Sequence, residues 1–142
     1  MKHSKVVIAL DPGKVRVGVA VSDELGALAH PRPHIDATDR KALLSAIADL
    51  AREEKASRIL VGLPLDMKGT AGPAVKKALS FAQAVADATG LDVELADERL
   101  TTVEAGHRMR EVGEVRRDRI DSASAAVVLQ AWLDRSLKKR SK

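Results

Sequence analysis

Cysteine and tyrosine are absent from this 142-residue chain, which holds a single phenylalanine and a single tryptophan. Without thiols there can be no disulfide and no thiolate metal site, so any metal ion must be held by carboxylate, carbonyl, imidazole or water. No run approaches the roughly 20 apolar residues of a membrane span, and the chain enters a strand-like segment without a cleavable signal pattern. The expectation is a soluble, cytoplasmic protein with no membrane partner. Phe81 and Trp132 fall among apolar neighbours on helical patterns and are expected in the core, so no aromatic platform for stacked bases is visible. His3, His30, His34 and His107 lack ligand spacing and read as surface or structural residues.

What is present describes a globular chain, 45% hydrophobic and 31% charged, of a length suited to one domain over 1–142. An apolar run over 5–10 and a second over 15–21 read as a hairpin, with Pro12-Gly13 closing the turn and Asp11 at the strand's end. Residues 27–35 form a weaker third strand, interrupted by Pro31 and Pro33, which suits a sheet edge. Thr38 or Asp39 can cap a helix that gathers Leu43, Ile47, Leu50 and Ala51 on one face. A short buried strand follows over 58–63. Pro73 then opens a helix with Val75, Leu79, Ala82 and Ala86 in register, ended by Gly90. A fifth strand spans 91–96, and helices over 101–112 and 120–137 close the chain. Three antiparallel strands followed by helix, strand, helix and strand imply an α/β fold, a mixed sheet flanked by helices with strands one, four and five parallel.

Three places carry acids that this pattern brings to strand or helix ends. Asp11 ends the first strand beside a turn, where a carboxylate at the rim of a buried sheet needs compensation. Asp97 and Glu98 end the fifth strand, and a capping-box spacing explains Thr101 and Glu104 but neither of those two acids. In open α/β sheets, ligands bind at that rim. Asp121 opens an otherwise small and apolar helix, Ile120-Asp121-Ser122-Ala123-Ser124-Ala125-Ala126, able to lie close on the sheet. Asp is equally at home in a turn or at a helix N-terminus, so each acid alone is ambiguous. Were Asp11, Glu98 and Asp121 to converge, they would require a counter-charge, which Mg²⁺ or Mn²⁺ supplies through hard oxygen ligands. Such sites perform phosphoryl transfer by activating a water and stabilising the leaving oxygen.

The net charge of +4 is unevenly spread. From Arg99 to Lys142, eleven Lys and Arg face six Asp and Glu, so the surplus sits in the last third of the chain. Arg108, Arg110, Arg116, Arg117 and Arg119 cluster around Gly113 as a candidate phosphate-binding footprint, whereas the final lysines read as a solubilising tail. Lys14 and Arg16 on the hairpin, Lys68 in a glycine-containing loop, and Arg99 beside Glu98 are further candidates for phosphate contact. With no stacking platform, binding to structured RNA or branched DNA should be dominated by phosphate and shape.

The segments Ala9-Leu10-Asp11-Pro12-Gly13-Lys14-Val15-Arg16-Val17-Gly18, Val61-Gly62-Leu63-Pro64-Leu65-Asp66 and Asp97-Glu98-Arg99-Leu100-Thr101-Thr102-Val103-Glu104 together resemble the YqgF (RuvX) family. These small bacterial relatives of the RuvC resolvase lie within the RNase H-like superfamily, and are described as Holliday junction resolvases and as nucleases maturing the 5′ end of pre-16S rRNA. The resemblance implies an RNase H-like five-stranded sheet of order 3-2-1-4-5 with strand 2 antiparallel. It also implies Asp11, Glu98 and Asp121 as catalytic, metal-holding positions for Mg²⁺ or Mn²⁺, with Asp97 an adjacent candidate. Many RNase H-like nucleases carry a further acid on the fourth strand, but here that strand ends Val61-Gly62-Leu63-Pro64.

Three functions follow as expectations. The first is a metal-dependent endonuclease, acting on pre-16S rRNA or on Holliday junctions. The second is a non-catalytic RNA-binding factor in ribosome assembly. The third takes Asp11-Pro12-Gly13-Lys14 as the phosphate loop of an actin-like ATPase, which needs two large domains that 142 residues cannot supply. Monomer and homodimer both remain open, because no self-complementary surface can be read from the chain.

Overall fold

In a computed structural model, the structure describes residues 5–63, 72–97 and 122–140. Five strands form one sheet: β1 (Val7–Pro12), β2 (Arg16–Ser22), β3 (Ala29–Asp36), β4 (Arg58–Leu63) and β5 (Asp92–Asp97). Their order is β3-β2-β1-β4-β5, with β2 antiparallel to both of its neighbours and β1, β4 and β5 parallel. The fold is therefore the RNase H-like sheet that the sequence leads one to expect. Helices α1 (Arg40–Glu54) and α2 (Pro73–Thr89) cover one face, and α3 (Ala123–Arg140) covers the other. Among the described residues, no helix is long and apolar enough to cross a membrane.

The two faces follow from strand alternation. Ile8 and Leu10 of β1, Val17, Val19 and Val21 of β2, and Ile59 and Val61 of β4 join Leu43, Ile47, Phe81 and Val85 in the core beneath α1 and α2. The intervening residues Val7, Ala9, Ala20, Leu60 and Ala96 meet Ala125, Ala126, Leu129 and Leu133 of α3. Small residues dominate this second core on both sides, which lets α3 lie close to the sheet. Residues buried on both faces explain why β1 and β4 read as unbroken apolar runs.

Several local expectations need correction. The hairpin strand β1 continues through Asp11 and Pro12, which pair with Gly18 and Val17, so Asp11 is a strand residue and the turn begins at Gly13. Val15 is 57% exposed at that turn and β2 starts at Arg16. In α2 the buried face is Val75, Ala78, Phe81 and Val85, while Leu79 is about half exposed. The bulk of Phe81 decides the helix's rotation over the weaker preference of Leu79. Trp132 is only half-buried, its indole N–H donating to the Glu94 carboxylate at the sheet's edge. Strand β5 extends one residue further than expected, so that Asp97 lies inside it.

The β2–β3 ladder contains one irregularity: Val17 pairs with Ile35 and Val19 with Arg32, so two residues of β3 oppose Gly18. One extra residue reverses the alternation, which is why Ala29 faces α3 whereas Ile35 packs against the opposite core. Pro31 and Pro33 sit on this edge strand, as their missing N–H groups require. Asp39, not Thr38, caps α1 by accepting from the Lys41 and Ala42 N–H groups at 3.0 and 3.3 Å.

Two buried polar side chains fasten α3 to the sheet. Gln130, fully buried, accepts from the Ala29 N–H at 3.0 Å and donates to the Ala27 carbonyl at 2.9 Å, so its amide stands in for a strand neighbour at the start of β3. Ser122, also fully buried, accepts from the Val19 N–H at 2.9 Å. Together they fix both the position and the rotation of α3 against β2 and β3.

Candidate active site

The carboxyl ends of β1, β4 and β5 form one rim of the sheet, and Asp11 stands on it. Alternation through Val7 and Ala9 carries Asp11 to the α3 face, where it is half-buried. Its partner across the antiparallel ladder is Gly18. On the other side, Leu10 is in register with Val61, so Gly62 follows in the row of Asp11, and Gly62 in turn pairs with Ala96. The carboxylate therefore rises from a row of two glycines and an alanine. On a face otherwise packed with side chains, this sets a glycine floor beside one acid, Gly18 and Gly62 themselves being buried, and glycine lets a neighbouring group approach closely.

Alternation also assigns a side of the sheet to Asp97, the last residue of β5. Val93 and Leu95 pack into the α1–α2 core and Ala96 into the α3 core, so Asp97 belongs to the α1–α2 side, opposite to Asp11. The position that continues the α3 side is the next one in sequence. Asp97 pairs with Leu63 at the end of β4 and is half-buried.

The start of α3 reaches this same region. Ser122 bonds to Val19, which pairs with Leu10 and follows Gly18, the partner of Asp11. The residue preceding Ser122 is Asp121. Sequence reasoning missed the anchoring role of Ser122, because a serine at a helix start reads as an ordinary cap; its partner lies 103 residues away.

Of the three acids expected to converge, Asp11 alone is structurally described, beside the adjacent candidate Asp97; Glu98 and Asp121 lie outside the described residues, as do Lys68, Arg99, Arg116 and Arg117 and the expected helix over 101–112. Among the described residues no group of three His, Asp or Glu side chains is placed to hold a metal ion. The donor chemistry of Asp11 suits Mg²⁺ or Mn²⁺, which take hard carboxylate oxygens.

Cations frame the rim. Lys14, Val15 and Arg16 are all exposed at the hairpin tip, which is tied to the end of β3 by the Ala37 N–H bonding to the Val15 carbonyl at 2.7 Å. Gly13 is required there: a Cβ would lie 2.7 Å from the Arg16 carbonyl oxygen. Arg16 is in register with Asp36. The Asp36 carboxyl is held below the usual aspartate range, chiefly by the Thr38 hydroxyl at 2.7 Å and then the Thr38 N–H at 2.8 Å, with smaller contributions from His34 and Arg16.

Comparison with known proteins agrees with this architecture. The family model described as "RuvX: Holliday junction resolvase" matches residues 5–135. A protein of Anaeromyxobacter sp. (strain Fw109-5), named "Putative pre-16S rRNA nuclease", is 43% identical over 130 residues, covering 89% of this chain and 95% of the relative. A protein of the same name from Escherichia coli (strain SE11) is 38% identical over 134 residues, covering 92% and 97%. In three dimensions the chain is similar to Thermus thermophilus RuvC solved with a Holliday junction substrate, at a TM-score of 0.62 and 14% identity over 92% of this chain and 95% of that one. The fowlpox virus Holliday junction resolvase matches at a TM-score of 0.55 and 12% identity, covering 93% and 99%. At such identities the two solved structures speak for the fold.

Proposed function

The chain belongs to the RuvX family, and from that premise we propose that it is a divalent-metal-dependent endonuclease hydrolysing phosphodiester bonds in structured nucleic acid, with 5′-end maturation of pre-16S rRNA in the cytoplasm as its task. The observation that carries this reading is the setting of Asp11: an acid at the carboxyl rim of an RNase H-like sheet, on the α3 face, between Gly18 and Gly62. Glycines on both sides of the acid mean that the neighbouring strands put no side chain of their own between its carboxylate and a phosphate at the rim.

Glu98 and Asp121 are the partners we assign to Asp11. Glu98 follows Asp97 and is the position next in phase with Ala96 on the α3 side. Asp121 precedes Ser122, whose bond to Val19 ties the start of α3 beside the Asp11–Gly18 pair. Mg²⁺ or Mn²⁺ bound by these three acids would supply the positive charge that offsets the phosphodiester's and activates a water for attack. The chain's own contribution is orientation. Asp11 rests on a strand of the sheet, while Glu98 directly follows β5 in sequence and Asp121 directly precedes the sheet-bound Ser122. Lys14 and Arg16 at the hairpin tip, with Lys68, Arg99, Arg116 and Arg117, are assigned to phosphate contact along the substrate.

The test is parallel incubation of a precursor rRNA fragment and a four-way DNA junction with the protein in Mg²⁺, Mn²⁺ or EDTA. Cleavage of the precursor in either metal and none in EDTA is expected. Cutting of the junction alone moves the substrate to branched DNA, and tight binding without cleavage in any condition favours a non-catalytic assembly factor.

A further inference from the structure

Helices α1 and α2 both leave the carboxyl rim of the sheet, since they follow β3 and β4 and return antiparallel to the strands. Their first turns carry no acid, and both begin with cations: Arg40 and Lys41 open α1, while Lys76 and Lys77 lie at the start of α2. All four are exposed, and among the described residues none is ion-paired with a carboxylate. Positive side chains at the positive end of a helix macrodipole are unfavourable for the helix itself. In α1 that placement falls on Arg40 and Lys41, while Lys76 and Lys77 are the fourth and fifth residues of α2, just past its first turn.

The cations are also held together. The Arg40 guanidinium lies 5.6 Å from the centre of the Phe81 ring on α2, and Lys77 is one turn before Phe81 on the same face of that helix. Lys14 stands exposed at the hairpin tip, which the Ala37–Val15 bond fastens to the segment leading into α1. Asp36 and Asp39 occupy that segment, but their carboxylates are engaged: Asp36 by Thr38 and opposite Arg16, and Asp39 by the Lys41 and Ala42 N–H groups. Like charges gathered at the helix ends nearest the candidate active site imply an anion of extended form.

We propose that Lys14, Arg40, Lys41, Lys76 and Lys77 form a track on the α1–α2 side of the rim that binds the sugar-phosphate backbone of the substrate strand where it leaves the Asp11 site. This deepens the nuclease reading and rests on it. Its five cations are distinct in sequence from the arginine cluster of the last third of the chain. Contacts are to phosphate, and the track adds affinity without base preference.

The experiment measures binding of a fluorescein-labelled precursor rRNA hairpin by anisotropy in EDTA, across a range of salt, so that cleavage does not enter. Three double variants are compared with the wild type: Arg40→Gln with Lys41→Gln, Lys76→Gln with Lys77→Gln, and the charge-matched control Lys5→Gln with Arg52→Gln at the other end of the sheet. Each track variant should bind about 3- to 10-fold more weakly near 0.1 M salt, with the slope of log affinity against log salt shallower by about 1 to 2. The control should stay within about twofold, and unchanged thermal unfolding shows that the variants are folded. Equal affinity of wild type and both track variants, or equal losses in the control, overturns the track alone. Failure of the wild type to bind the hairpin overturns the track and the pre-rRNA reading together.

Discussion

Ser122 Oγ and the Val19 N–H are joined by a buried 2.9 Å hydrogen bond across 103 residues of sequence. It lies where β2 passes Asp11 and where the β2–β3 ladder skips a residue, so the bond serves two purposes. It satisfies a backbone donor in the interior and sets the start of α3 against the sheet. Ser122→Ala leaves that N–H without a partner, at a cost of about 1 to 3 kcal/mol. Urea unfolding should show a lower midpoint with an unchanged slope. Cleavage should fall by more than the unfolded fraction explains, because Asp121 loses its fixed neighbour. Wild-type stability in the variant would mean that the bond does not position α3.

The alternation along β5 assigns a face to Asp97, one of two adjacent acids that sequence alone leaves equivalent. Asp97 lies on the α1–α2 side with Val93 and Leu95, and Glu98 is the next residue in phase with Ala96. Asp97→Asn should retain cleavage within about tenfold of wild type, whereas Glu98→Gln should lose about 100-fold or more, as expected for a group acting on the transition state. Rate measurements on the two variants decide it, and the reverse order would place the strand's other face at the site.

Asp36 provides a pH reading of the hairpin and β3 junction. Its pKa lies below the ordinary aspartate value because Thr38 donates to the ionised form. A carboxyl with a depressed folded-state pKa stabilises the fold above its unfolded pKa, and that contribution disappears as pH falls through the folded value. In an NMR titration the Asp36 midpoint should rise toward the ordinary value in Thr38→Val. It should not rise fully, since the Thr38 N–H remains. An unchanged midpoint would take the shift away from the hydroxyl and assign it to the Thr38 N–H, with His34 and Arg16.

The order of the sheet was legible because β1, β2 and β4 are apolar runs bounded by turn residues, and because the chain resembles a family of known topology. The rotation of α2 was not. Alanines surround Leu79, the periodicity is weak, and only packing against the sheet shows that Phe81 is the residue driven inward. The bulge opposite Gly18 was equally hidden, since Pro31 and Pro33 announce an edge strand but not which face each residue takes. Asp11 was singled out correctly as a residue at a strand's end. The glycine floor beneath it depends on register between strands 50 residues apart, and Ser122 and Gln130 depend on backbone partners about 100 residues away. Local pattern fixes elements; it carries no information on which row meets which.

In the proposed reaction the Asp11 carboxylate acts on a phosphodiester at the sheet's rim. Asp11→Asn keeps the side chain's shape and the Gly18 pairing while removing the negative charge. Single-turnover cleavage of the precursor rRNA fragment in Mn²⁺ should fall by about 100-fold or more in this variant, with hairpin affinity in EDTA and the thermal midpoint close to wild type. Cleavage by Asp11→Asn at the wild-type rate would contradict the account.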